Sequence, residues 1–105
     1  MKNRRMNPAH PGKILKQEFM EPLRISNYRL AQASGLSQTI VGRIVNGKAG
    51  ITADVALRLE AVLGMDAQTW MNMQNTFDLL IARQASGKDI AKKSVRLYEH
   101  DSAMA

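Results

Sequence analysis

Apolar residues recur at helical intervals along most of the chain, and capping or breaking residues divide them into five segments. Pro11 suits the first turn of a helix, where its missing N–H would have no partner anyway. Ile14, Leu15 and Phe19 follow at helical spacing, and Pro22 is expected to end this first helix. Ser26 is a favourable N-cap for a second helix carrying Leu30 and Ala31, and Gly35 stops it. Ser37 caps a third segment, Gln38 to Val45, closed by Asn46 and Gly47. That segment is rich in Val, Ile and Thr, so a strand has to be weighed. Its apolar positions are Ile40, Val41, Ile44 and Val45, which is helical spacing and not alternation. Thr52 caps a fourth helix with Val55, Ala56, Leu59 and Leu63 on one side, and Gly64 ends it. Asp66 caps a fifth, where Trp70, Met73, Phe77, Leu80 and Ile81 form one apolar stripe that fades from Ala85 onward.

The pattern predicts an all-α fold, a compact five-helix bundle containing a helix-turn-helix. Residues 1–10, with Lys2, Arg4 and Arg5, read as a flexible basic arm. Residues 11–84 form the helix-turn-helix domain. Residues 85–105 read as a basic tail, partly disordered or a short helix over Lys88 to Tyr98.

The chain's 105 residues suit one domain, and 45% of them are hydrophobic, enough for a packed interior. There is no cysteine, which excludes disulfides, cysteine-zinc sites and thiol nucleophiles and fits a reducing cytosol. No apolar run reaches the length of a membrane span, and Met1 to Gly12 lacks the apolar stretch of a secretory signal. A cytoplasmic protein is expected. The formal charge of +6 draws polyanions, nucleic acid among them.

The informative segment runs from Ser26 to Gly47. Ala31 is small enough for two helices to cross closely, and Gly35 can adopt the left-handed backbone that a sharp turn needs. Leu36, Val41 and Ile44 point inward. On the third helix, Ile40, Val41, Ile44 and Val45 take one side, and Gln38, Thr39, Gly42, Arg43 and Asn46 take the other. An α-helix fits the major groove of DNA, where Gln suits adenine, Arg suits guanine and Thr meets a thymine methyl or a phosphate. A glycine on the outer face lets the helix sit close to a surface. Ser26 and Ser37 stand at helix starts, which attract anions, and Lys48 and Arg29 are placed for phosphates. The candidate DNA-binding set is therefore Ser37, Gln38, Thr39, Arg43, Asn46, Lys48, Ser26 and Arg29.

The last apolar stripe either caps the chain's own core or pairs in part with a second copy. We expect a two-fold dimer built on Trp70, Met73, Phe77, Leu80 and Ile81, because dimers read two half-sites about 34 Å apart. Catalysis is not expected. The two histidines, His10 and His100, fall in the two flexible ends, no acidic cluster has metal-ligand spacing, and there is no glycine-rich phosphate loop. No cofactor is implied. A protein-interaction module with a basic face is the remaining rival class.

Three stretches together resemble the HigA-type antitoxins of bacterial toxin–antitoxin modules, also called the VapI-like group, within the Cro and lambda-repressor-like helix-turn-helix class. They are His10-Pro11-Gly12 with Glu21-Pro22-Leu23, the helix-turn-helix itself, and Ile51 to Gly64 with Trp70-x-Asn72-x-Gln74. The resemblance spans roughly residues 6 to 81. It implies a homodimer that binds operator DNA, represses its own operon and neutralises a HigB toxin, a RelE-like mRNA interferase. It places DNA-reading positions on Ser37, Gln38, Thr39, Arg43 and Asn46, with Lys48 nearby. Many antitoxins carry an acidic segment, whereas this tail carries Lys88, Lys92, Lys93 and Arg96. The alternative is a solitary helix-turn-helix regulator without a toxin partner.

Overall fold

The computed structural model describes residues 9–98, so the basic arm with Lys2, Arg4 and Arg5 and the last seven residues lie outside the described part. No strand occurs among the described residues. Five helices follow one another. Helix α1 covers residues 11–23 in three stretches, Pro11–Ile14, a π-helical Leu15–Met20, and Glu21–Leu23. Helix α2 is Asn27–Ser34, α3 is Gln38–Val45, α4 is Ala53–Leu63 and α5 is Ala67–Lys93.

Four of the five helix starts use the caps expected from the pattern. Ser26 Oγ accepts from the Arg29 N–H at 3.0 Å, Ser37 Oγ from Ile40 at 3.1 Å, Thr52 Oγ1 from Val55 at 3.3 Å, and Asp66 Oδ1 from Thr69 at 2.9 Å. Each satisfies one N–H that a helix start leaves without a partner. The first helix has a different cap. His10 Nδ1 accepts from the Gly12 N–H at 2.9 Å, and the imidazole edge meets the Phe77 ring with centroids 4.9 Å apart. His10 therefore belongs to the folded body and not to a flexible arm.

Two boundaries differ from expectation for physical reasons. Pro22 does not end α1 but sits inside its last turn. The Glu21 N–H reaches back five residues to the Lys16 carbonyl, and this wider turn relieves the clash that a proline ring makes in a regular α-helix. The helix ends after Leu23, where Arg24 takes a left-handed conformation with φ 57°. At the other end, α5 passes through the boundary expected at residue 84 and continues to Lys93. The apolar stripe fades there, but Ala82, Arg83, Gln84 and Ala85 are strong helix formers, and propensity carries the helix onward. Residues 85–93 are thus the outer turns of the core's final helix and not a separate element.

The core draws on every helix: Leu15 and Met20 from α1, Leu30 and Ala31 from α2, Val41 and Ile44 from α3, Val55, Ala56 and Leu59 from α4, and Trp70 from α5, with Ile51 from the loop before α4. Trp70 is fully enclosed and packs on Phe19 at 5.5 Å between ring centroids. Its indole N–H has no hydrogen-bond partner in this interior. The large apolar ring must outweigh an unpaired donor that costs about 1–3 kcal/mol.

Candidate nucleic-acid interface

Helices α2 and α3 meet at a turn whose polar groups are satisfied from three sides. The Gly35 N–H donates to the Ala31 carbonyl at 3.0 Å, with Gly35 at φ 80°. Ser34 Oγ donates to the same carbonyl at 3.5 Å and accepts from the Leu36 N–H at 3.2 Å. From α4, Arg58 Nη1 donates to the Ser34 carbonyl at 3.0 Å, while its Nε holds Asp54 at 2.9 Å. Arg58 so closes the C-terminal end of α2, where carbonyls otherwise lack partners. A Cβ on Gly35 would come within 2.7 Å of that Nη1. The sequence pattern identified Gly35 but not Arg58, because the contact joins residues 24 positions apart.

Below this turn, α3 is anchored by Val41 and Ile44, both essentially sealed. Gln38, Thr39, Arg43 and Asn46 are exposed, as is Lys48 in the following loop. Two residues of the expected division move. Ile40, assigned to the inner side, is exposed at 38%. It sits in the first turn of α3, on the flank of the Val41 and Ile44 face opposite to half-buried Val45. Gly42 is half-buried and faces the start of α2, where a Cβ would stand 4.0 Å from Asn27 Nδ2. Its smallness is therefore not a demand of the protein's own packing.

Arg43 is held to the loop beyond its helix. Its Nη2 donates to the Lys48 carbonyl at 3.0 Å, and its own carbonyl accepts from the N–H groups of Lys48 at 2.7 Å and Ala49 at 3.2 Å. One of five guanidinium donors is engaged, and the others can face a ligand. Ser26 and Ser37 use their oxygens as caps, so the remaining N–H groups of those two helix starts are available to an anion. Arg29 is exposed and donates through Nη1 to Gln32 Oε1 at 3.4 Å, and Gln32 Nε2 in turn donates to the Tyr28 hydroxyl at 3.4 Å. Helical spacing alone does not mark Asn27, Tyr28 or Gln32 as members of this surface. From Pro22 through Ala53 the chain has no Asp or Glu, while Arg24, Arg29, Arg43 and Lys48 lie within that stretch.

Behind the loop, Gln74 of α5 is buried. Its Oε1 accepts from the Ile51 N–H at 2.7 Å, and its Nε2 donates to Asp78 Oδ1 at 2.9 Å. Burial pushes the His10 imidazole below its ordinary pKa, and the nearby Asp78 carboxylate opposes that only in part.

The candidate dimer residues divide. Trp70 must be removed from the set, because it is enclosed within its own chain and offers nothing to a second copy. Met73 and Phe77 are half-buried, Phe77 against His10, and Leu80 is half-buried as well. Ile81 is exposed, and so is Leu79, which the stripe had not included. Among the described residues no group of three His, Cys, Asp or Glu could hold a metal, and no helix is long and apolar enough to cross a membrane.

The helix-turn-helix family model matches residues 16–70. Virulence-associated protein I of Dichelobacter nodosus is 46% identical over 79 residues, 75% of this chain and 73% of that protein. Antitoxin HigA-1 of Vibrio cholerae is 38% identical over 79 residues, 75% of this chain and 74% of that protein. Among solved structures, the Pseudomonas aeruginosa antitoxin HigA with the higBA promoter superposes with a TM-score of 0.84 at 40% identity, covering 88% of this chain and all of that one. The chain therefore belongs to the helix-turn-helix family and, within it, to the group of the HigA antitoxins and virulence-associated protein I.

Proposed function

We propose that this chain is a sequence-specific DNA-binding repressor, the antitoxin of a HigBA-type module that binds its own operator as a homodimer and neutralises a RelE-like mRNA interferase toxin in the cytoplasm. The observation that carries the DNA reading is the two-sided α3: Val41 and Ile44 lock it to the core, while Gln38, Thr39 and Arg43 stand exposed on a stretch without carboxylates. Gln38 and Arg43 have the donors and acceptors that read base edges, and Thr39 and Asn46 flank them. Ser37, Ser26, Arg29 and Lys48 supply phosphate contacts, which give affinity and register but no sequence choice. Leu80 and Ile81, with Met73 and Phe77 beside them, supply the apolar face of the dimer on α5. The toxin partner rests on kinship with the HigA antitoxins.

The test is binding to the DNA upstream of the chain's own reading frame, measured against a random duplex over a salt series. The proposal expects tight, sequence-selective binding that weakens steeply with salt on both duplexes. Equal affinity for both, or none, would overturn it. Co-purification with the product of the adjacent reading frame tests the antitoxin half.

A further inference from the structure

The loop of residues 46–52 presents Lys48, and it is fastened at two points. At its start the fastening is Arg43, whose carbonyl accepts from Lys48 and Ala49 and whose guanidinium donates back to the Lys48 carbonyl. At its end the fastening is Gln74, through the 2.7 Å bond from the Ile51 N–H. The second point comes from a different helix, 23 residues further along the chain. Gln74 interrupts an apolar stripe one turn after Trp70, and a buried amide there is costly unless it is bonded. It is bonded on both sides, since Asp78 Oδ1 takes its Nε2 and so fixes which amide atom faces Ile51. Gly50 completes the fit. A Cβ there would lie 3.2–3.3 Å from the amide carbon, nitrogen and oxygen of Gln74, so loop backbone and side-chain amide lie close against each other.

We propose that Gln74 is a positioning residue for the DNA interface, holding the 46–52 loop so that the Lys48 side chain and the Lys48 carbonyl that restrains Arg43 stand where duplex binding needs them. It touches no DNA itself. The inference rests on the DNA-binding reading above and adds a residue on the far side of the loop to it. Removing the amide leaves the Ile51 N–H unpaired and frees the loop's second end. Lys48 then loses its fixed place, and its contribution to binding falls.

The experiment is a double-mutant cycle in the full chain, with operator affinity measured for wild type, Gln74→Leu, Lys48→Ala and the pair. Folding of each is checked by circular dichroism, and exchange of the Ile51 amide is followed. Gln74→Leu should weaken operator binding about five-fold in the wild-type background and much less in the Lys48→Ala background, because coupled residues are not additive. The Ile51 amide should exchange faster. The swap Gln74→Glu with Asp78→Asn restores both hydrogen bonds with the roles of the two side chains exchanged, and it should return affinity to near wild type. If wild type binds the operator and Lys48→Ala weakens it, but Gln74→Leu costs the same in both backgrounds or nothing, the inference falls while the DNA reading stands. If Gln74→Leu does not fold, the swap decides: a folded swap variant with weak operator binding overturns the inference. If wild type binds no duplex, the DNA reading falls and takes the inference with it.

Discussion

Gly12, at the start of α1, lies directly against the backbone carbonyl of Ile44, near the end of α3. A Cβ at residue 12 would overlap that carbonyl, and a backbone atom cannot swing aside as a side-chain tip can. Gly12 also gives its N–H to His10, whose ring lies beside Gly47 and Phe77. The first helix thereby props the helix that carries the candidate base-reading side chains.

Gly12→Ala should therefore be costly although its backbone conformation suits any residue. The expected loss is about 1–3 kcal/mol, the usual range for overfilling a packed site. A urea midpoint equal to that of wild type would show that α1 can draw back without penalty.

His10 should make stability depend on pH. Its Nδ1 accepts a hydrogen bond that a protonated ring cannot accept, and burial lowers its pKa in the folded state. The unfolded chain then binds the proton more readily than the folded one, so stability rises with pH across this window. The full contribution is present above about 6.5, the ordinary histidine value, and is lost as pH falls through the lowered value. His10→Asn keeps a capping oxygen and should remove that part of the slope, which thermal melts between about pH 5 and 8 would reveal. An unchanged slope would assign the pH dependence to other groups.

Gly42→Ala should raise the melting temperature. Alanine favours a helix interior over glycine by about 1 kcal/mol, and the new methyl would meet only Asn27 Nδ2 at 4.0 Å. Operator affinity should fall at the same time if the glycine serves close approach to a duplex. A lower melting temperature would mean that the α2–α3 contact is tighter than its geometry implies.

Trp70 and Ile81 should separate folding from assembly. Trp70→Ala empties the centre of one protomer and should cost about 3–5 kcal/mol. Ile81→Glu changes an exposed residue and should leave the fold intact while shifting light scattering towards monomer. A stable Trp70→Ala variant, or an Ile81→Glu variant that remains dimeric, would contradict this division.

Local chemistry made much of this molecule legible from its sequence. Ser26, Ser37, Thr52 and Asp66 act on N–H groups three residues ahead, so spacing alone finds them. The outward placement of Gln38, Thr39 and Arg43 follows from helical geometry once Val41 and Ile44 are taken as core. What escaped was long-range or conditional. Arg58 on Ser34 and Gln74 on Ile51 join segments that the chain order keeps apart. His10 looked like part of a flexible arm because nothing local shows that Phe77 will meet it. Pro22 read as a helix end because the π-helical turn that admits it leaves no sign in residue type. The Trp70 stripe showed an apolar face but could not say how much of it the chain keeps for itself. Even so, a lone Gln one turn after Trp70 on that stripe marks Gln74 in the sequence itself.

The most direct measurement is the operator affinity of Arg43→Ala, on the natural site and on sites changed one base pair at a time. The expected result is a loss of about 1–3 kcal/mol on the natural site and relaxed preference at one base pair. Binding as tight and as selective as wild type would contradict the claim that the outward face of α3 reads the sequence.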